Sequence, residues 1–347
     1  MSLAPAHRPT GPARTGASPR LPQPRGPLSE AVLAALRDEL RTLPAPARIL
    51  AADPYGDDLQ LALYVLYELH YRGFADVSEA REWDPELLRL RRALEDRFLA
   101  AVREDTARNR SVDEVFDELL AEPVDHTGSV SAHLERHGEL WQVREYAALR
   151  SLYHLKEADP QVWVIPRLRG RAKAAMVAIE YDEFGAGRAE RMHAVLFARL
   201  MDDLGLDCAY GHYLDAAPVQ AIAVVNLMSL FGLHRALRGA LVGHFACVEI
   251  TSSPGSRRMA AAMRRLGAGP AAEHFYAEHV EADAVHEQLV RHEVVAGLLE
   301  DEPGLEHDIA FGADATTLLE ERLGAALLDA WGRGDSALRV PLRPPLT

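Results

Sequence analysis

Residues 274–288, HFYAEHVEADAVHEQ, place three metal-binding side chains on one predicted helix. His279, Asp283 and His286 are spaced i, i+4 and i+7, and at about 100° per residue they lie within roughly 60° of one another. Imidazole and carboxylate groups together suit a divalent transition metal, and a carboxylate can also bridge two ions. A solvated polar face is the alternative, because three glutamates share this segment.

Other predicted helices upstream of this segment contain further carboxylates and a histidine. They are Glu157, Glu180, Glu183, Glu190 and His193. Two-metal sites in helical bundles take about four carboxylates and two or more histidines from several helices, often with a carboxylate and a histidine three residues apart. Glu190 and His193 have that spacing, as do Asp283 and His286. Together with His279, these pairs favour a metal centre over a solvated surface.

The rest of the chain predicts an all-α protein. Alanine, leucine, arginine and glutamate are abundant, and strand-like alternation is scarce. We expect a disordered, basic, proline-rich tail over 1–28, an accessory helical domain over 29–125, a larger domain over 126–335 and a C-terminal tail over 336–347. Ser29 is the predicted N-cap of the first helix. Further helices are predicted over 57–73, 84–104, 132–155, 172–183, 188–204, 218–248, 255–266, 271–299 and 315–331.

Composition excludes several classes of protein. The net charge of −14 argues against a nucleic-acid binder, since phosphate neutralisation needs clustered Lys and Arg. No uncharged apolar run is long enough for a membrane span, and the first residues lack the apolar block of a signal peptide. Cys208 and Cys247 stand among apolar residues, as expected for reduced, buried thiols. We therefore expect a soluble, cytoplasmic protein.

Four segments resemble the iron-containing redox enzyme family, the haem-oxygenase-like diiron oxidases and oxygenases. The resemblance is strong over about 150–292 and looser over the N-terminal helices. The segments are YHLKEADPQVWVIPRLRGRAKAAMVAIEYDEFG (153–185), ERMHAVLFARLMDDLG (190–205), NLMSLFGLHRALRGALVGH (226–244) and FYAEHVEADAVHEQ (275–288). The resemblance implies a haem-oxygenase-like helical bundle with an N-terminal accessory bundle that serves dimerisation in some members.

The same resemblance implies two Fe(II) ions, with dioxygen as co-substrate. The implied ligands are Glu157, Glu183, His193, His279, Asp283 and His286. Many relatives carry a histidine shortly after the first glutamate, where this chain has Gln161 and Val164. That site therefore either lacks one ligand or takes His193 instead, and the latter arrangement resembles the N-oxygenase subgroup. Glu180 and Glu190 remain alternatives to Glu183.

The resemblance therefore implies N-oxygenation of a small amine, guanidine or amino acid in a biosynthetic pathway, with an external electron donor and a homodimeric assembly. Oxidative decarboxylation, C–C cleavage or desaturation is the alternative reaction. A ferritin-like iron-binding protein without organic substrate is the second alternative. A haem-binding oxygenase has no use for the three-ligand helix.

Other polar residues have two interpretations. His154 either orients Glu157 or binds substrate, or it is a structural histidine. Arg167 and Arg171 either contact a substrate carboxylate or belong to a solvated basic face. His234 and His244 lie on the most apolar predicted helix, where hydrogen-bonded core histidines are expected.

Overall fold

The computed structural model describes residues 18–39, 43–106, 110–121 and 128–342, and within them every regular element is helical. This confirms the predicted all-α class. The α-helices are α1 Pro27–Leu36, α2 Pro46–Leu50, α3 Asp57–Glu68, α4 Pro85–Asp105, α5 Val112–Leu120, α6 Val130–Arg136, α7 Leu140–His154, α8 Asp159–Val162, α9 Gly170–Glu183, α10 His193–Asp203, α11 Val219–Leu233, α12 Arg238–Leu266, α13 Pro270–Leu289, α14 Ala296–Asp301 and α15 Glu306–Gly332. A π-helical turn, Val290–Val295, joins α13 to α14.

The helix that carries Glu249 is continuous where the sequence predicted a break. The predictions ended one helix at Val248 and began another at Gly255, but α12 runs through both positions with Pro254 inside it. Pro254 has no N–H to donate within the helix, so packing of α12 along α13 and α15 must hold the two halves together. The first of these two predicted helices, 218–248, breaks instead at His234, whose backbone is extended.

Other helix boundaries also differ from the predictions. The predicted helix 132–155 is broken between α6 and α7 at Gly138, where a Cβ would lie 2.6 Å from Leu134 Cα. The first helix begins at Pro27 rather than at Ser29. Ser29 is buried within it, and its hydroxyl lies 2.7 Å from Asp58 Oδ1 on α3.

The N-terminal helices share one hydrophobic core with the rest of the described chain. Asn226 of α11 donates to the backbone and side-chain oxygens of Gln60 on α3, each at 2.8 Å. The predicted boundary near residue 125 falls where 122–127 lie outside the described residues, and the domain division stays a prediction.

Both predicted tails contain residues that are packed against the helices. Arg25 donates to the carbonyls of Leu214 and Ala217 at 2.7 and 2.8 Å, so this part of the expected disordered segment is anchored. At the other end Leu338 is buried, and the Ala337 N–H donates to Glu145 at 3.0 Å. Residues 1–17 and 343–347 lie outside the described residues.

Within the described residues, no single helix combines the length and apolar composition needed to cross a bilayer. The segments Val219–Leu233 and Arg235–Leu266 meet that criterion only as a pair, and the pair is bent by 106°.

Candidate metal centre

The side chains of five segments converge beside the middle of α13. His279, Asp283 and His286 all point inward from this helix and are buried. Glu157 follows the end of α7, and the left-handed backbone of Ala158 (φ 73°) turns the chain directly after it. Glu183 ends α9, and positive φ angles at Gly185, Ala186 and Gly187 reverse the chain so that His193 returns as the first residue of α10.

One group of ligand atoms comes from Glu157, His193 and His279, which lie within 4.8 Å of one another. His279 Nε2 is 3.7 Å from Glu157 Oε1. The other ring nitrogen of His279 donates to the Phe275 carbonyl at 2.7 Å, which fixes the ring and leaves Nε2 facing the group. Such a second hydrogen bond is usual for a metal-binding histidine.

A second group comes from Glu183, Glu249 and His286, with the same spacing limit of 4.8 Å. His286 Nδ1 lies 3.5 Å from Glu183 Oε1 and 3.4 Å from Glu249 Oε2. Glu183 joins the two groups, because its Oε2 is 2.8 Å from His193 Nδ1. Asp283 lies beside the second group, with Oδ1 4.0 Å from His286 Nδ1.

The electrostatics of the centre show an excess of buried negative charge. Burial opposes protonation of His279, yet its contact with Glu157 and the nearby carboxylates raise its pKa to about 10. The pKa of His286 is raised to about 9 by Glu249, Glu183 and Asp283, also against burial. Burial raises the pKa of Glu249 to about 7, although its contact with His286 opposes the rise. In the metal-free protein, the raised pKa values mean that protons on these groups offset the buried negative charge. A bound cation would offset the same charge in their place.

The polar atoms of the centre are arranged as metal ligands rather than as hydrogen-bond partners of one another. Several are buried without a hydrogen-bond partner: Glu157 Oε2, His193 Nδ1, Glu249 Oε2, His279 Nε2, Asp283 Oδ2 and both ring nitrogens of His286. They approach one another closely but not in hydrogen-bond geometry. Unpaired buried polar atoms are costly, and convergence of nitrogen and carboxylate oxygens is the arrangement expected around transition-metal ions.

Sequence comparison agrees with this geometry. The family model described as "Iron-containing redox enzyme" matches residues 144–321, which is more than half of the chain. The chain belongs to the iron-containing redox enzyme family. Among curated proteins it is similar to nitrosourea synthase of Streptomyces achromogenes subsp. streptozoticus, with 23% identity over 178 residues. That match covers 51% of this chain and 37% of the length of the relative.

Five of the six residues predicted as iron ligands fall in the two groups, and the sixth, Asp283, lies beside the second group. Glu180 and Glu190 do not join them. Glu180 is buried one turn before Glu183 with both carboxylate oxygens unpartnered, but it belongs to neither group. Glu190 lies exposed on a short 3-10 turn before α10.

The remaining candidates have other partners. His154 Nδ1 lies 2.7 Å from Glu157 Oε1, so it orients that carboxylate rather than joining either ligand group. Arg167 donates to the carbonyls of Gly232 and Leu233 at the end of α11, and Arg171 pairs with Glu300 at 2.5 Å. Neither arginine lines the cavity beside the centre, so neither is placed to contact a substrate there.

Glu249 is the candidate ligand that sequence reasoning missed. It does not appear among the predicted ligands, and it lies one residue beyond the predicted helix end at Val248, before the ITSSPG segment. The available signal was its position as an acidic residue directly after the apolar run FACV, with no basic residue at helical spacing before it.

The candidate metal centre opens onto a cavity of about 480 Å³. Glu157, Glu183, Glu249, His279 and Asp283 form part of its wall. Tyr153, Phe245, Met259, Tyr276 and Thr316 form other parts. This volume lies within the range of small-molecule binding sites.

Proposed function

We propose that the protein is a dioxygen-dependent non-haem diiron oxygenase that oxidises the nitrogen of a small amine, guanidine or amino acid. The observation that carries the proposal is the pair of three-residue ligand groups joined by Glu183 and open to one small-molecule cavity. Support for nitrogen chemistry comes from the relative whose name denotes the synthesis of a nitrosourea, a compound with a nitrogen–oxygen bond.

Each ligand group would hold one iron. Glu157, His193 and His279 would bind the first ion, and Glu183, Glu249 and His286 the second, with Asp283 beside it. Two bound Fe(II) ions supply the electrons and the Lewis acidity that dioxygen activation requires. The surrounding carboxylates balance the positive charge, while His154 and the Phe275 carbonyl hold Glu157 and His279 in fixed orientations.

Hydroxylation of an amine by dioxygen inserts one oxygen atom and reduces the other to water, which consumes two electrons and two protons. We therefore propose an external electron donor as a partner. The apolar parts of the cavity wall would exclude water from the substrate, while the carboxylates around the irons would favour an amine or guanidine over an anion. A homodimer in the cytoplasm is proposed from the family resemblance.

The test is anaerobic Fe(II) loading, followed by mixing with ¹⁸O-labelled dioxygen, a chemical reductant and a panel of amines, guanidines and amino acids. About two irons per chain and a product that contains one labelled oxygen on nitrogen are expected. Loss of carbon dioxide or of hydrogen would instead identify oxidative decarboxylation or desaturation. Ferric mineral without an organic product would identify iron storage.

A matched pair of variants separates ligand loss from loss of surface charge. Asp283→Ala should abolish binding of at least one iron, whereas Glu190→Ala removes an exposed carboxylate and should leave iron content unchanged. Haem binding that survives in Asp283→Ala, with no iron bound in the wild type, would contradict the diiron assignment.

A further inference from the structure

A chain of polar groups links two residues of the cavity wall, Thr316 and Tyr153, through the buried His244 and Gln161, and it contains none of the candidate metal ligands. It begins at the Gly312 carbonyl on α15 and continues through Thr316, His244 and Gln161 to the hydroxyl of Tyr153. Successive contacts measure 2.7 Å, 2.9 Å, 3.3 Å and 3.2 Å. Gln161 and His244 are almost completely buried, so their hydrogens have no access to solvent.

The direction of this chain is set by its backbone end. A carbonyl oxygen can only accept, so the single hydroxyl proton of Thr316 is donated to Gly312. The Thr316 oxygen must therefore accept from His244 Nδ1. His244 consequently carries its proton on Nδ1.

The next contact fixes the amide of Gln161. Burial lowers the pKa of His244 to about 4, so the ring is neutral and Nε2 carries a lone pair. Only the amide nitrogen of Gln161 can donate to that lone pair, since a flipped amide would place oxygen against it. The same nitrogen also contacts the Tyr153 hydroxyl. Gln161 Oε1 is left buried without a partner, which is the cost of this orientation.

Tyr153 therefore accepts a hydrogen bond from Gln161 and still has its own hydroxyl proton to donate. Neither Glu157 nor Glu183 is hydrogen-bonded to Tyr153 in the described structure, and Glu157 Oε2 has no partner at all. Tyr153 lines the same cavity as these carboxylates.

We propose that Tyr153 donates a hydrogen bond to the molecule bound in the cavity, and that the substrate presents an acceptor oxygen or nitrogen at this wall. The chain through Gln161, His244 and Thr316 holds the phenol in that donor role. The inference rests on the proposed function only in taking the cavity as the substrate site. It adds a recognition element opposite in character to the carboxylates, which favour the cationic part of a substrate.

The first test needs neither iron nor turnover. In metal-free protein with ¹⁵N-labelled histidine, NMR should show neutral His244 as the Nδ1–H tautomer near pH 7, with the signals assigned by their loss in His244→Asn. Thr316→Val removes the acceptor for Nδ1–H and should shift His244 towards the Nε2–H tautomer. The Nε2–H tautomer in wild-type protein would overturn the inference, because Gln161 would then present its oxygen to His244 and to Tyr153.

The second test uses acetohydroxamate as the probe, because its oxygens accept hydrogen bonds and its ferric complex is coloured. Titrated into ferric-loaded protein, it should bind about 3- to 10-fold more weakly to Tyr153→Phe than to wild type, as expected for one lost hydrogen bond. Tyr213→Phe is the control, since it removes a hydroxyl that accepts from the Asp207 N–H away from the cavity. An unchanged dissociation constant in Tyr153→Phe, with iron content and thermal midpoint preserved, would overturn the donor role. Failure of the iron to bind would count against the proposed function and leave the tautomer test standing.

Discussion

Glu249 decides whether the second ligand group is a metal site. It is buried on α12 within 3.4 Å of His286, and no basic side chain besides that imidazole neutralises it in the described structure. Glu249→Gln keeps the size of the side chain and removes its charge. We expect iron content after anaerobic loading and desalting to fall from about two to about one per chain, because the second group would lose one of its three ligands.

The matched control for Glu249→Gln is Glu190→Gln, which makes the same charge change at an exposed position. Its iron content should equal that of the wild type. Two tightly held irons in Glu249→Gln would mean that the second ion is bound by other residues, such as Glu180, an unpartnered carboxylate one turn before Glu183 on α9.

Single residues were predictable where helical spacing alone decides their direction. His279, Asp283 and His286 share a helix, so their common face follows from sequence. The choice of Glu183 over Glu180 and Glu190 could not be made that way, because it depends on where α9 ends and on the left-handed backbone that follows. Glu249 was missed for a similar reason, since its position depends on α12 continuing past Pro254 and Gly255, which local sequence signals do not predict.

Among the elements, α12 shows why the predicted helix boundaries failed. Proline and glycine at 254 and 255 are local breakers, but contacts with α13 and α15 hold the helix on both sides of them. Local propensity contains no information about such contacts. The presence and type of the long helices could be predicted, while their ends and the π-helical turn after α13 could not.

The crossing of α12 and α15 depends on two glycines. A Cβ on Gly243 would lie 1.9 Å from the Ile309 carbonyl oxygen, and one on Gly312 would lie 2.0 Å from that of Ala240. Gly243→Ala should therefore force the two backbones apart and lower the free energy of unfolding by about 3 kcal/mol, measured by urea denaturation.

Gly255→Ala is the matched control, because it lies in the same helix with nothing within 4 Å of the added Cβ. It should leave stability unchanged or raise it by up to about 1 kcal/mol, as expected for alanine over glycine in a helix. Equal destabilisation by the two variants would show that the α12–α15 crossing is looser than the distances indicate.

At the scale of the whole molecule, the charge of the centre links stability to pH. Both His279 and His286 have pKa values raised from 6.5, to about 10 and about 9. Their contribution to the stability of the metal-free protein is fully present below pH 6.5 and is lost as pH rises through these values, because the unfolded chain releases the protons first. Glu249, with its pKa raised from 4.5 to about 7, acts in the same direction at lower pH.

We therefore expect the thermal midpoint of metal-free protein to fall by about 5 °C or more between pH 6.5 and pH 9. Metal-loaded protein should show a higher midpoint and little of this decline, since the ions replace the protons. Calorimetry with Zn(II) and with chelator, at both pH values, measures the difference. A parallel decline in both forms would show that the imidazole protons are not those displaced by metal.

The N-terminal helices are joined to the metal-binding part of the chain by a buried ion pair. Lys156 Nζ lies 3.0 Å from Glu68 Oε2 at the end of α3, and Tyr210 donates to the same carboxylate at 2.8 Å. Lys156 also lies 4.1 Å from the centroid of the Tyr71 ring. Because Lys156 directly precedes Glu157, we expect this pair also to hold the backbone that presents the first predicted ligand.

Lys156→Met should lower the free energy of unfolding by about 3–5 kcal/mol, because it leaves the Glu68 carboxylate buried without its countercharge. The double variant Lys156→Met/Glu68→Leu removes both charges and should be more stable than Lys156→Met alone, which urea denaturation of the metal-free proteins would measure.

The iron affinity of the same two variants tests a second role of the pair. If the N-terminal helices only cover the core, the folded form of both variants should bind iron with the affinity of the wild type. If the pair positions Glu157, iron affinity should stay reduced even in the double variant, although its stability recovers. The second outcome is expected from the adjacency of Lys156 and Glu157, and it would make the N-terminal helices part of the metal-binding structure rather than a separate appendage.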